Sequence, residues 1–109
     1  MRERLIMQGP YNVGTFSNLP APSDWSWERT RLARGQTYRV IRSFADADGQ
    51  EHPVGEEWVF LGEMFNKFDD ELTVCIRSGG DEEWRIPFIW RADKQEEVLE
   101  HWQDYVARV

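Results

Sequence analysis

From Thr37 to Trp90 the chain keeps returning to one pattern, short runs in which apolar and polar side chains alternate, each closed by a turn signal. Alternation with period two puts neighbouring side chains on opposite faces, which is the signature of half-buried β-strands. In residues 37–44 the pattern sets Tyr38, Val40 and Phe44 on one face. Asp48-Gly49 follows, a pair in which both residues tolerate the positive φ of a hairpin turn. Residues 57–61 are apolar on both faces, as a central strand should be. Leu72, Val74 and Ile76 then alternate with Thr73, Cys75 and Arg77, and Ser78-Gly79-Gly80-Asp81 turns the chain again. Trp84, Ile86, Phe88 and Trp90 line one face of the last strand, opposite Glu83, Arg85 and Pro87. Pro87 has no amide to give a ladder, so this strand is expected at an edge or bulged there.

After Trp90 the period changes. Val98, Leu99, Trp102, Tyr105, Val106 and Val109 recur at helical spacing, with Glu96, Glu97, Glu100 and Asp104 on the wetter side. Asp93, with Glu96 three residues on, reads as an acidic capping box opening that helix. The fold class expected is mainly β with one C-terminal α-helix, about four to five antiparallel strands forming a small barrel that the helix closes. The predicted core is Tyr38, Val40, Trp58, Phe60, Leu72, Val74, Ile76, Trp84, Ile86, Phe88, Leu99, Trp102 and Val106.

At 109 residues this is one domain. Its barrel and helix are expected over residues 34–109, preceded by an N-terminal strap over residues 1–33. Residues 8–24 are rich in Gly, Pro, Ser and Asn and read as loop, with Tyr11, Val13, Phe16 and Leu19 able to lie across the barrel. A short helix capped by Ser23 or Asp24 and stopped at Gly35 is expected after it.

Charge is unevenly spread. Residues 1–43 hold seven Arg against three acids, a net +4, whereas residues 44–109 hold six basic and seventeen acidic residues, a net −11. The acidic part repels phosphates and attracts basic partners. The single cysteine, Cys75, rules out an intrachain disulfide and a Cys-based metal cluster. The first ten residues lack the apolar run of a signal peptide, and no stretch approaches the ~20 apolar residues of a membrane span, so a cytoplasmic protein is expected.

The run Arg34-Gly35-Gln36-Thr37-Tyr38-Arg39-Val40, then Phe44, Asp46 and Gly49, then residues 52–62 (His-Pro-Val-Gly-Glu-Glu-Trp-Val-Phe-Leu-Gly), resembles a small bacterial domain family of unknown function. In that family a G-x-x-Y-x-V strand is followed by H-x-V-G-E-x-W and the domain ends in a helix. The resemblance covers about residues 32–109, implies an SH3-like barrel and lends no catalytic residues.

Catalytic and cofactor chemistry finds little support. His52 and His101 would need carboxylates such as Glu51, Glu97 or Asp104 to hold zinc, and nothing in their spacing brings them together. Asp46-Ala47-Asp48-Gly49 resembles the opening of a calcium loop, but Phe44 and Gly55 stand where ligands belong, so it reads as a hairpin turn. Cys75 has only Arg77 near it on its face to lower its pKa, and Ser78-Gly79-Gly80 lacks the flanks of a nucleophile elbow or phosphate loop. No cofactor, metal or catalytic residue is expected. Paired carboxylates suited to sugar hydrolysis would need a cleft that a ring-filled interior leaves no room for.

A nucleic-acid or cation-binding barrel is the alternative reading. Arg29, Arg31, Arg34, Arg39 and Arg42 would supply its basic stripe and the aromatics its platform or cage, but the acidic barrel weighs against nucleic acid. The favoured reading is a non-catalytic protein-interaction module, such as an immunity or inhibitor protein, whose acidic face meets a basic toxin or enzyme. Its expected contact residues are Phe65, Phe68, Asp69, Asp70 and Glu71, in a connection that reads as too long for a tight hairpin. Glu51, Glu56, Glu57, Asp81, Glu82 and Glu83 form the reserve of acidic contacts.

Overall fold

The computed structural model describes residues 8–11, 30–66, 68–78 and 82–109. Eight strands are set out along them: β1 (Gln8–Tyr11), β2 (Thr37–Val40), β3 (Phe44–Ala45), β4 (Glu51–His52), β5 (Glu57–Asn66), β6 (Glu71–Ser78), β7 (Glu82–Ile89) and β8 (Val106–Arg108). Six form an antiparallel sheet in the order β1-β7-β6-β5-β2-β8, and β3 and β4 pair as a separate small hairpin. The chain is thus mainly β and antiparallel. Strands β1 and β8 stand at opposite ends of the order, with no pairing between them among the described residues.

The alternation read from sequence survives in the core. Val40, Phe60, Leu72, Val74, Ile76, Ile86 and Phe88 have no exposed surface, and Tyr38, Phe44, Trp58, Leu99, Trp102, Tyr105 and Val106 join them in one buried cluster. Trp84, expected in the core, packs against it while half-buried. Phe44 is the hub of the ring packing, with Phe88, Trp102 and Tyr105 at centroid distances of 5.9, 5.4 and 6.1 Å. The contacts with Trp102 and Tyr105 are edge-on, which suits the ring quadrupoles, and that with Phe88 is tilted. Leu61, Cys75 and half-buried Val59 make a second cluster.

Strand β5 runs five residues beyond its expected end, and a bulge explains why. Phe60 pairs with Ile76 but Gly62 pairs with Cys75, so Leu61 is the extra residue and Gly62 sits at φ 153°. One inserted residue reverses which positions face inward, and the strand continues with its phase shifted. The register then sets Asn66 opposite Glu71. The link between them is only residues 67–70, a tight hairpin rather than the long loop expected.

The C-terminal helix is a second correction. Helix α1 (Glu96–Glu100) has five residues, a 3₁₀ turn spans Trp102–Asp104, and the chain then enters β8, which pairs with β2. Asp93 does not cap it. The cap position is Gln95, whose side chain accepts from the Ile89 amide (2.8 Å) and donates to the Asp46 carbonyl (3.3 Å). The apolar stripe still buries Val98, Leu99, Trp102, Tyr105 and Val106. The open edge of β2 offers ladder hydrogen bonds that a longer helix would have left unmade, and the β-branched Val106 suits a strand.

Pro87 lies at the open side of β7, beyond the reach of β1, and its carbonyl accepts a hydrogen bond from Ala47 (2.8 Å) in the β3–β4 turn. The edge expected from this proline is therefore local. Of the strap, residues 8–11 are not loop but strand β1, paired with β7, while residues 12–29, with the helix near Ser23, lie outside the described residues.

Candidate functional site

The tip of the β5–β6 hairpin gathers the contact residues favoured from sequence. Phe68 is 89% exposed at the turn. Its backbone is held by Asn66, whose side-chain oxygen accepts from the Phe68 amide (3.0 Å), and Asp69 does the same for the Glu71 amide (3.3 Å). Asp70 takes φ 59°, a conformation that Asp tolerates better than most side chains, and its carbonyl accepts from the Trp90 amide (2.8 Å). Phe65 turns the other way: it is half-buried against the core, edge-on to Trp90 at 6.4 Å. Asp69 is exposed, whereas Asp70 and Glu71 are half-buried. The hairpin thus presents one aromatic ring beside three acids on a backbone tied at several points.

The other acidic candidates divide. Glu51 and Glu82 are exposed, and Glu57 is exposed while engaged with Arg39 at 2.6 Å. Asp81 lies outside the described residues. Glu83 has no exposed surface, so it offers a partner nothing, and the structure corrects that expectation. Glu56 is corrected too, because its carboxylate is committed inside the protein to His52.

That commitment is the feature sequence reasoning missed. The His52 ring is fully buried, stacked on Phe44 at 4.9 Å, with Nε2 2.8 Å from Asp46 Oδ2 and Nδ1 3.1 Å from Glu56 Oε1. Carboxylates only accept, so two of them facing the two ring nitrogens call for a proton on each nitrogen. Burial alone would lower the His52 pKa, but the hydrogen bonds and charges of Asp46 and Glu56 outweigh it and raise the value to about 9. The other oxygen of Asp46 accepts from the amides of Asp48 (2.9 Å) and Gln50 (3.1 Å), so this carboxylate organises the turn as well. Its signal was legible: His52 and Glu56 are four residues apart, on either side of a turn, and Asp46 opens the matching hairpin.

No other arrangement of chemistry competes. Among the described residues no group of three His, Cys, Asp or Glu side chains is placed to hold a metal ion. His101 is exposed, with Nδ1 3.1 Å from the Glu97 carbonyl, whereas His52 is enclosed. Cys75 is buried, and that burial pushes its thiol up to about 12. Of the basic stripe, Arg29 lies outside the described residues, Arg39 is paired with Glu57, and Arg42 lies over the Tyr105 ring at 4.7 Å. No helix among the described residues is long and apolar enough to cross a membrane.

No protein-family model matches the chain, and no curated protein does. Among solved structures the chain is similar to an integron cassette protein from the mobile metagenome of Vibrio cholerae, 29% identical, with a TM-score of 0.71 over 75% of this chain and 90% of that one. The likeness carries the architecture across most of both molecules and names no ligand, reaction or partner.

Proposed function

We propose that this chain is a non-catalytic protein-interaction module that meets a basic partner through the acidic, Phe-tipped β5–β6 hairpin, in the manner of an inhibitor or immunity protein. The observation that carries this reading is Phe68, a large apolar ring 89% exposed at the end of a well-tied turn. Leaving such a ring in water forgoes roughly 1.5–3 kcal/mol of burial, which a partner's pocket would recover. Asp69, Asp70 and Glu71 beside it supply the charge that steers a basic surface toward the ring. A non-catalytic role accords with the His52–Asp46 pair, the most chemically poised groups described, having essentially no surface through which to reach a substrate.

The reading is tested by replacing Asp69, Asp70 and Glu71 with Ser and measuring association with the basic partner at low and high salt. The on-rate should fall at low salt and converge with wild type as salt screens the charges. Unchanged on-rates at low salt would remove the hairpin from the interface.

A further inference from the structure

Strand β8 ends the sheet, with β2 on one side of it and, among the described residues, no strand on the other. Val109 donates its amide to the Thr37 carbonyl (3.0 Å), and Tyr105 accepts from Ile41 (2.7 Å). Bonded positions alternate along an antiparallel ladder, so residues 105, 107 and 109 address β2. Val106 and Arg108 then turn their amides and carbonyls away from it, and among the described residues nothing hydrogen-bonds to those four groups.

Along this edge runs a cleft of about 530 Å³. Leu32, Tyr38 and Trp102 give it apolar lining, and Arg31 and Arg108 give it charge. Neither arginine forms an ion pair among the described residues, and no described carboxylate lines the cleft. Arg31 also holds φ 61°, a strained backbone for this residue type and one met disproportionately where a ligand is gripped.

We propose that the β8 edge is a docking site for an extended, acidic peptide segment of a partner protein, which adds to the sheet as a further strand. An unpaired edge selects extended backbone, because strand addition satisfies the outward amides and carbonyls of Val106 and Arg108. The cleft beside it receives the side chains on one face of the added strand. Arg31 and Arg108 select acids among them by charge, and carboxylates match guanidinium geometry. This surface is opposite in sign to the Phe68 hairpin, so the two would engage different segments, and neither proposal depends on the other.

The test uses the full chain, ¹⁵N-labelled, with three synthetic octapeptides: a Val–Glu repeat, a Val–Lys repeat, and the Val–Glu repeat N-methylated at alternate backbone nitrogens. The Val–Glu peptide should shift the amides of Val106 and Arg108 and slow their exchange with solvent. N-methylation, or the paired substitution Arg31→Gln and Arg108→Gln, should each weaken its binding by about tenfold or more, and the Val–Lys peptide should not bind. Equal binding of the Glu and Lys peptides, indifference to N-methylation, or shifts centred elsewhere would overturn the proposal. So would absence of binding at millimolar peptide, or self-association of the chain through β8, which would make a second copy the occupant.

Discussion

Raising the pH should loosen this fold through a single residue. His52 titrates at 6.5 in the unfolded chain and at about 9 in the folded one. A folded pKa above the unfolded value gives stability that is fully present below pH 6.5 and is lost as pH climbs through about 9. At about 1.4 kcal/mol per unit the whole effect is roughly 3 kcal/mol, set against the ~5–15 kcal/mol that holds a typical domain. Between pH 6.5 and 8.5 linkage predicts a loss of about 2 kcal/mol. The window is chosen because the Cys75 thiol, raised from 9.0 to about 12, acts with the same sign but only as pH passes its unfolded value. Urea unfolding followed by Trp fluorescence at half-unit pH steps reads the effect directly. His52→Gln should flatten the profile and lower stability by about 3–5 kcal/mol, since Asp46 and Glu56 would be left buried without their cation. Should that variant fail to fold, ring ¹⁵N shifts of the wild type at pH 7.5 give the same answer, with both nitrogens protonated. A stability level from pH 6.5 to 8.5, or a neutral ring at pH 7.5, would mean that Asp46 and Glu56 do not hold His52 as a cation.

Trp102→Ala should cost roughly 3–5 kcal/mol in the same unfolding assay, the range for truncating a buried large aromatic, because Trp102 is 3% exposed and packs edge-on to Phe44 and Phe88. Phe68→Ser should change stability by no more than about 0.5 kcal/mol, as exposed substitutions usually do. A larger loss would mean the ring packs. Native protein at pH 8 should resist iodoacetamide at Cys75, whereas urea-unfolded protein should be alkylated within minutes, by mass spectrometry.

What the sequence made legible was the set of faces, and what it hid was mostly long-range. Alternation around Tyr38, Val74 and Ile86 identified core positions because each strand there keeps its phase over several residues. In β5 the phase breaks at Leu61, so the strand's second half looked like loop and the Phe65–Glu71 link looked long. The stretch after Asp93 has helical spacing, yet five helical residues and a 3₁₀ turn bury the same stripe and leave Val106 to pair with β2. Local propensity could not report that β2 had an open edge. Among site residues, Phe68 and Asp69 were readable as surface because a turn must be exposed. Glu83 was not, because nothing local marks an acid on a strand as enclosed, whereas the pairing of Glu56 with His52 could have been read from their spacing across a turn.

The proposed contact between the β5–β6 hairpin tip and a basic protein can be captured by placing a benzophenone amino acid at position 68 and irradiating living cells, with adducts identified by mass spectrometry. One specific basic protein should be captured, and its yield should fall sharply when Asp69, Asp70 and Glu71 are Ser. No specific adduct at position 68, or an adduct whose yield ignores those substitutions, would place the hairpin tip outside the interface.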